Sequence, residues 1–168
     1  PQIIYIKHEF DEYNVIETSD FAINQLKKFK NIKTYKYDGS NIPFDNNYFD
    51  RIIIAHTLEH IDDFENFVFQ MMNKLKLNGL LSISLPTDPG LLWRIARFFK
   101  KKLFSKKNKI TSIEYDYIMA NEHINSSFTI RDILRYHYHK TMKESYLPFR
   151  IKNLDINLFY NIQIIKNF

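Results

Sequence analysis

Two apolar runs, Arg51 to Ala55 (RIIIA) and Leu80 to Leu85 (LLSISL), flank one helical stripe, and that spacing leaves the chain few architectures. Between the runs Phe64, Phe67, Val68, Met71, Met72 and Leu75 recur at a helical period, so one face of a helix is continuously apolar. A β-branched run that is apolar through its centre reads as a strand buried on both faces of a parallel sheet. Asp62 or Asp63 opens the helix. Asn78-Gly79, which tolerate a left-handed backbone, are expected to close it, and Pro86 stops the second run.

The same alternation extends in both directions. Tyr13 to Glu17 (YNVIE) reads as a strand ending in an acid, Ser19 as a helix cap, and Ala22, Ile23, Leu26 and Phe29 as one helix face. Lys33 to Tyr37 alternates as a strand and ends at Asp38-Gly39. Near the other end, Thr129 and Asp132 resemble a capping box before a helix marked by Ile130, Ile133, Leu134 and His137. Tyr146 to Ile151 and Leu154 to Ile165 read as two strands around Lys152-Asn153, a hairpin at the sheet edge. The expected fold is therefore α/β: a doubly wound, mostly parallel, Rossmann-like sheet with a C-terminal antiparallel hairpin. One domain over residues 1–168 is expected, carrying a basic insertion at about 87–128.

With 168 residues, 45% of them hydrophobic, the chain can bury one sizeable core. No stretch approaches the roughly 18 to 20 apolar residues of a spanning helix, and there is no cysteine for disulfide or thiolate chemistry, so a cytoplasmic protein is expected. The net charge of +5 is local. Eight Lys or Arg and no acid lie between Leu91 and Lys109, which leaves 16 basic against 19 acidic residues elsewhere. No series of stacking aromatics accompanies these cations, so nucleic acid is not expected as a partner.

In a doubly wound sheet, ligands bind beyond the carboxyl ends of the strands, and Glu17, Asp38 and His56 each fall at such an end. An acid after one strand can accept bonds from both ribose hydroxyls, and an acid after the next from an adenine amino group. That is adenosine-binding chemistry. The surrounding residues sharpen it. Asp38 to Asp50 (DGSNIPFDNNYFD) follows the pattern D-[AG]-x-x-[LI]-P-F-x-[DN]-x-x-F-D nearly position for position. Ile16 to Ser19 follows V-x-D-x-S, Leu58 to Ile61 follows L-x-H-[IV], and Leu75 to Gly79 approximates L-K-P-G-G.

Over roughly residues 13 to 90 the chain thus resembles the class I S-adenosylmethionine-dependent methyltransferases of the type 11 group. The resemblance implies methyl transfer from S-adenosylmethionine without a metal, with Glu17, Asp38, Gly39 and His56 at the cofactor and His60 in a structural role. That family also has a glycine-rich loop after its first strand. Here the only glycines are Gly39, Gly79 and Gly90, so the domain is expected to be N-terminally truncated and this chain alone to bind the cofactor weakly or not at all. A non-catalytic, methyltransferase-like binding module is the alternative. A nicotinamide-dependent dehydrogenase fits the acids but not the Pro-Phe stretch.

Two further features concern the acceptor. His123, in a polar and aromatic stretch (YDYIMANEHINSSFT), is the candidate catalytic residue, a general base for a hydroxyl acceptor. Leu91 to Phe104 (LLWRIARFFKKKLF) sets Leu92, Ile95, Ala96, Phe99 and Leu103 on one face among cations. Such a segment lies on an anionic membrane or holds an acidic acceptor, and otherwise packs on its domain as an ordinary surface helix. A small-molecule or glycan acceptor is expected, specifically a phosphorylated or lipid-linked sugar of surface-polysaccharide assembly, with peripheral membrane contact through Leu91–Lys109.

Overall fold

The computed structural model describes residues 9–39, 42–108 and 110–167. Ser40 and Asn41 of the Asp38–Asp50 motif, and Lys109 of the basic segment, lie outside them. The chain divides into two compact units, Pro1–Phe44 and Asp45–Phe168, each described by itself.

In the first unit β1 (Tyr13–Glu17) and β2 (Ile32–Lys36) form a parallel pair joined through α1 (Asp20–Leu26). The helix begins where expected, because the Ser19 hydroxyl accepts from the Ala22 N–H at 3.4 Å. It ends at Leu26, so Phe29 falls in the turn beyond it. Tyr37 N–H donates to the Glu17 carbonyl at 2.9 Å, which carries the pairing to the last residue of each strand.

The second unit is built on a four-stranded sheet of order β3 (Phe49–Ala55), β4 (Leu75–Pro86), β6 (Phe159–Ile165), β5 (Met142–Leu147). β3 and β4 run parallel, while β6 is antiparallel to both β4 and β5. The C-terminal hairpin is present, and β6 lies inside it against β4. Alternation along these strands places Leu81, Ile83 and Leu85 of β4 with Tyr160, Ile162 and Ile164 of β6 in the core. Burying each such side chain stabilises the fold by about 1.5–3 kcal/mol relative to leaving it in water. α2 (Phe64–Lys74) adds Phe67, Val68, Met71 and Met72, and α5 (Ser127–Tyr138) adds Ile130 and Leu134.

Several expectations give way to long-range contacts. β3 is an outer strand of this sheet, so only Ile54 of RIIIA is buried and Ile53 is 39% exposed. α2 ends at Lys74 rather than at Asn78-Gly79, and Leu75 already belongs to β4. The cause is Lys166, whose ammonium donates to the Leu75 carbonyl at 2.8 Å and whose backbone pairs with Asn78 and Gly79. Asn78 does adopt a left-handed backbone, φ 62°, but inside the strand. The cap of α5 is Ser126, three residues before Thr129. The hairpin connection is longer than a Lys152-Asn153 turn. Buried Asn157 organises it, donating to the carbonyls of Ile151 and Asn153 and accepting from Phe149 N–H.

The basic insertion forms two helices, α3 (Leu91–Asn108) and α4 (Ser112–Glu122). α4 starts at a complete capping box, Thr111 with Glu114, a pattern the sequence carries in the open. Among the described residues no helix is long and apolar enough to cross a membrane.

Candidate active site

β3 and β4 are parallel, so their carboxyl ends open on the same side of the sheet, and the polar groups of the second unit collect there. His56 leaves β3 with a left-handed backbone, φ 52°, its N–H donating to the Ser84 carbonyl at 2.9 Å. A single 3-10 turn, Leu58–His60, follows. It buries Leu58 in the core and Glu59 beneath two histidines, His56 Nδ1 and His60 Nε2 each standing 3.8 Å from Glu59 Oε1. Glu59 is only 3% exposed, and its Oε2 takes no hydrogen bond.

The chain after α4 is stitched to this turn. The Glu59 carbonyl accepts from Ile124 and Asn125 N–H at 3.0 and 3.2 Å, and the Asn125 amide donates to the Leu58 and Ile61 carbonyls. His60 Nδ1 donates to the Glu122 carbonyl. These bonds bring His123 against His60, ring to ring at 5.0 Å and nearly perpendicular. His60 thus holds the turn to the end of α4, as a structural residue would.

His123 caps α4 and points Nδ1 at Asp88 Oδ2, 2.9 Å away, with both side chains largely buried. A carboxylate only accepts, so Nδ1 carries the hydrogen and Nε2 is left as the ring's acceptor when the imidazole is neutral. Nε2 has no hydrogen-bond partner among the described residues. Asp88 follows Pro86 at the end of β4 and is a junction. Its carbonyl accepts from the Ser127 N–H and hydroxyl at 2.9 and 3.0 Å, and Arg97 of α3 lies 3.5 Å from its carboxylate. Burial alone would raise the Asp88 carboxyl, but the His123 hydrogen bond and the Arg97 charge hold it below the ordinary aspartate range. Sequence reasoning found His56, His60 and His123 but missed Asp88 and Glu59. Asp88 sits among turn formers, Thr87-Asp88-Pro89-Gly90, and reads there as loop punctuation.

The first unit holds the other predicted residues. Glu17 ends β1 and turns its carboxylate back on the chain, Oε1 accepting from Thr18 and Ser19 N–H at 2.8 and 3.0 Å. Asp38 stands exposed just past β2, close enough that its charge adds to burial in pushing the Tyr37 hydroxyl up. Gly39 follows at φ 94°, a conformation that favours glycine, with open space where a side chain would be. Two carboxylates at the carboxyl ends of adjacent parallel strands are a donor-accepting set that fits a ribose diol and an adenine amino group. No glycine-backed loop for the aminocarboxypropyl half stands among described residues 9–38. Glu17, Asp38 and Gly39 lie in one unit and His56 in the other. Among the described residues no group of three or more His, Asp or Glu side chains is arranged to hold a metal ion.

Known proteins agree with this architecture. Residues 4–83 match the family model described as a methyltransferase domain. The fold recurs in a S-adenosylmethionine-dependent methyltransferase from Thermotoga maritima, 18% identical, with a TM-score of 0.60 over 92% of this chain and 72% of that one. It recurs also in the plantazolicin methyltransferase BpumL, solved with a monoazolic desmethylPZN analog and SAH, 15% identical, with a TM-score of 0.62 over 94% of this chain and 67% of that one. Residues 4–83 of the chain thus resemble a methyltransferase domain, and the fold is the one these S-adenosylmethionine-dependent methyltransferases share.

Its curated relatives include the demethylmenaquinone methyltransferases of Staphylococcus carnosus, 30% identical over 118 residues, and of Staphylococcus epidermidis, 29% identical over 114. Each match covers 61% of this chain and 47% of the relative. The chain therefore spans about half the length of the curated relatives it matches.

Proposed function

We propose that the chain is the methyl-transferring part of an enzyme that moves the methyl group of S-adenosylmethionine to a sugar hydroxyl, with His123 as general base and Asp88 as its positioning residue. The acceptor in this reading is a phosphorylated or lipid-linked sugar of surface-polysaccharide assembly, and the setting is cytoplasmic. The Asp88–His123 pair at the carboxyl ends of β3 and β4 is the observation that carries it. A hydroxyl is a poor nucleophile while it keeps its proton, and an imidazole whose Nδ1–H is already committed offers Nε2 to receive it.

S-adenosylmethionine supplies an electrophilic methyl on a sulfonium and leaves as the neutral thioether, so no metal is needed. The acceptor oxygen gains the methyl carbon, its proton passes to His123 Nε2, and Asp88 stabilises the imidazolium that results. Glu17, Asp38 and Gly39 of the first unit receive the adenosine half in this reading. The basic segment on α3 attracts a phosphate-bearing acceptor over about a Debye length.

A second reading draws on the names of the curated relatives, in which the acceptor is demethylmenaquinone or a similar small molecule. Labelled methyl transfer by the whole protein, offered a phosphorylated sugar, a lipid-linked sugar and demethylmenaquinone in turn, separates the two. Incorporation into a sugar, lost in His123→Ala, is the expected result. Incorporation into demethylmenaquinone alone would select the second reading. No incorporation anywhere, with S-adenosylmethionine affinity unchanged in Glu17→Ala and Asp38→Ala, would leave a binding module without catalysis. Removing a charge-assisted hydrogen bond costs about 1.5–3 kcal/mol, so either substitution should weaken cofactor binding by roughly tenfold to a hundredfold.

A further inference from the structure

α3 faces the wrong way for a surface helix that merely packs on its domain. Much of its polar side turns inward, Arg97 lying against Asp88 and Lys101 pairing with Asp116 of α4, beside half-buried Leu92 and Trp93 and the Phe104 ring, 5.5 Å from that of Tyr115. Its apolar side is left in solvent. Leu91, Ile95, Phe98, Phe99 and Leu103 are 49%, 47%, 67%, 62% and 73% exposed. At 100° per residue these five fall in an arc of roughly 140°. Lys102 and Lys106 lie inside that arc, Lys100, Lys107 and Arg94 lie beyond its borders, and the helix carries no acid. None of these five cations has a partner among the described residues.

We propose that this face of α3 is an interfacial anchor that lies in the plane of an anionic lipid bilayer. The occupant follows from the mixture of groups. Large apolar side chains exposed together call for an apolar phase, and unpaired lysines set among them call for anions at its boundary, to which their long stems can reach. A second copy of the chain would press like charges together. A lipid headgroup layer over acyl chains satisfies both demands at once, and an 18-residue helix of about 27 Å lies along such a layer. The anchor rests on the exposure and charge of α3 alone, so vesicle binding tests it separately from methyl transfer, although the same cations are the ones that attract the acceptor in that reading.

The test is flotation of the chain with vesicles of phosphatidylcholine alone and of phosphatidylcholine with phosphatidylglycerol in equal parts. Partitioning should favour the anionic vesicles by about tenfold or more and weaken at high salt. Phe98→Ser with Phe99→Ser and Leu103→Ser should abolish it. Lys102→Gln with Lys106→Gln should reduce it by about tenfold or more. All five side chains are exposed, and unchanged circular dichroism and melting temperature would exclude unfolding. Equal partitioning to both vesicles, or anionic binding that survives the serine substitutions, would overturn the proposal. So would binding to soluble heparin as tight as to vesicles, or a concentration-dependent dimer that the serine substitutions dissolve.

Discussion

Two acids lie under the surface of the second unit, and they are equipped in opposite ways. Glu144 on β5 is saturated: Oε1 accepts from Arg135 Nε at 3.0 Å, from the Tyr146 hydroxyl at 3.3 Å and from the Tyr160 hydroxyl, and Oε2 from Arg135 Nη2 at 3.0 Å. Glu59 is buried more deeply, yet its Oε2 has no partner and its nearest cation-forming groups stand 3.8 Å from Oε1. A polar network whose every acceptor is filled stiffens a fold, whereas one left short of donors keeps an uncompensated desolvation cost that a hydrogen-bond donor from a ligand would relieve. The saturated acid ties α5 to the hairpin edge of the sheet. The unsaturated one lies with His60, His123 and Asp88 at the end of the sheet where this fold binds its ligands.

The sharpest break between the two is expected in His123→Ala. Without a base, turnover with a hydroxyl acceptor in the whole protein should fall by about 100-fold or more, with cofactor affinity intact. Asp88→Asn should lower turnover less and shift the pH–rate profile, because the imidazole keeps its place but loses the charge that fixes its tautomer. A change under a few fold in His123→Ala would make the Asp88–His123 pair a clamp between α4 and the end of β4, the counterpart of the Glu144 network.

The reverse result is expected at the saturated acid. Glu144→Ala strands the Tyr160 hydroxyl in the core and frees Arg135, so it should cost about 2–3 kcal/mol. For a chain of this size that is a fall in melting temperature of roughly 5–10 °C, with turnover per folded molecule unchanged.

Much of this contrast could be read in the sequence only in part. Local signals did well: β1 is Tyr13–Glu17 as expected, Ser19 and Asp63 are caps, and Tyr160, Ile162 and Ile164 face the core. Each of those depends on neighbours within a few residues. What failed depends on distant ones. Leu75-Lys76-Leu77 are good helix formers, and they become strand because Lys166 binds the Asn73 and Leu75 carbonyls where α2 passes into β4. Apolar residues and cations alternate around α3, so periodicity named an apolar face but not the side that turns to the domain. Asp88 and His123 are 35 residues apart, and Glu59 and Asn125 are 66 apart. Nothing in either sequence neighbourhood announces its partner. The strand-end acids Glu17 and Asp38 were visible because their meaning lies in position along a strand.

Acid should act on both clusters, and the sign follows from the shifts. Burial would raise the Glu144 carboxyl, but its bonds from Arg135 and Tyr160 hold it below the ordinary glutamate range, as the partners of Asp88 do for that residue. A carboxyl whose value is depressed on folding stabilises the fold above its unfolded value, about pH 4, and loses that contribution as pH falls through the folded one. The melting temperature should therefore hold at neutral pH and decline below about pH 4. Glu144→Gln and Asp88→Asn should each flatten that decline, and a slope the same as the parent's in both would remove the two carboxylates from the acid response.

The smallest effect distinguishes the two acids most cleanly. Glu59→Gln and Glu144→Gln are the same chemical change, a carboxylate oxygen replaced by an amide that donates as well as accepts. At Glu144 the new N–H group meets an Arg135 N–H whichever oxygen it replaces, so that bond becomes donor against donor and stability should drop by about 1–3 kcal/mol. At Glu59 the amide meets no donor at the unfilled Oε2 position, so the loss should stay under about 1 kcal/mol. Parallel denaturant titrations of the two variants give the difference directly. If Glu59→Gln costs as much as Glu144→Gln, the acid beneath His56 and His60 is a structural keystone. Its missing partner would then be a hydrogen bond within the protein, and the site at the ends of β3 and β4 would rest on Asp88 and His123 alone.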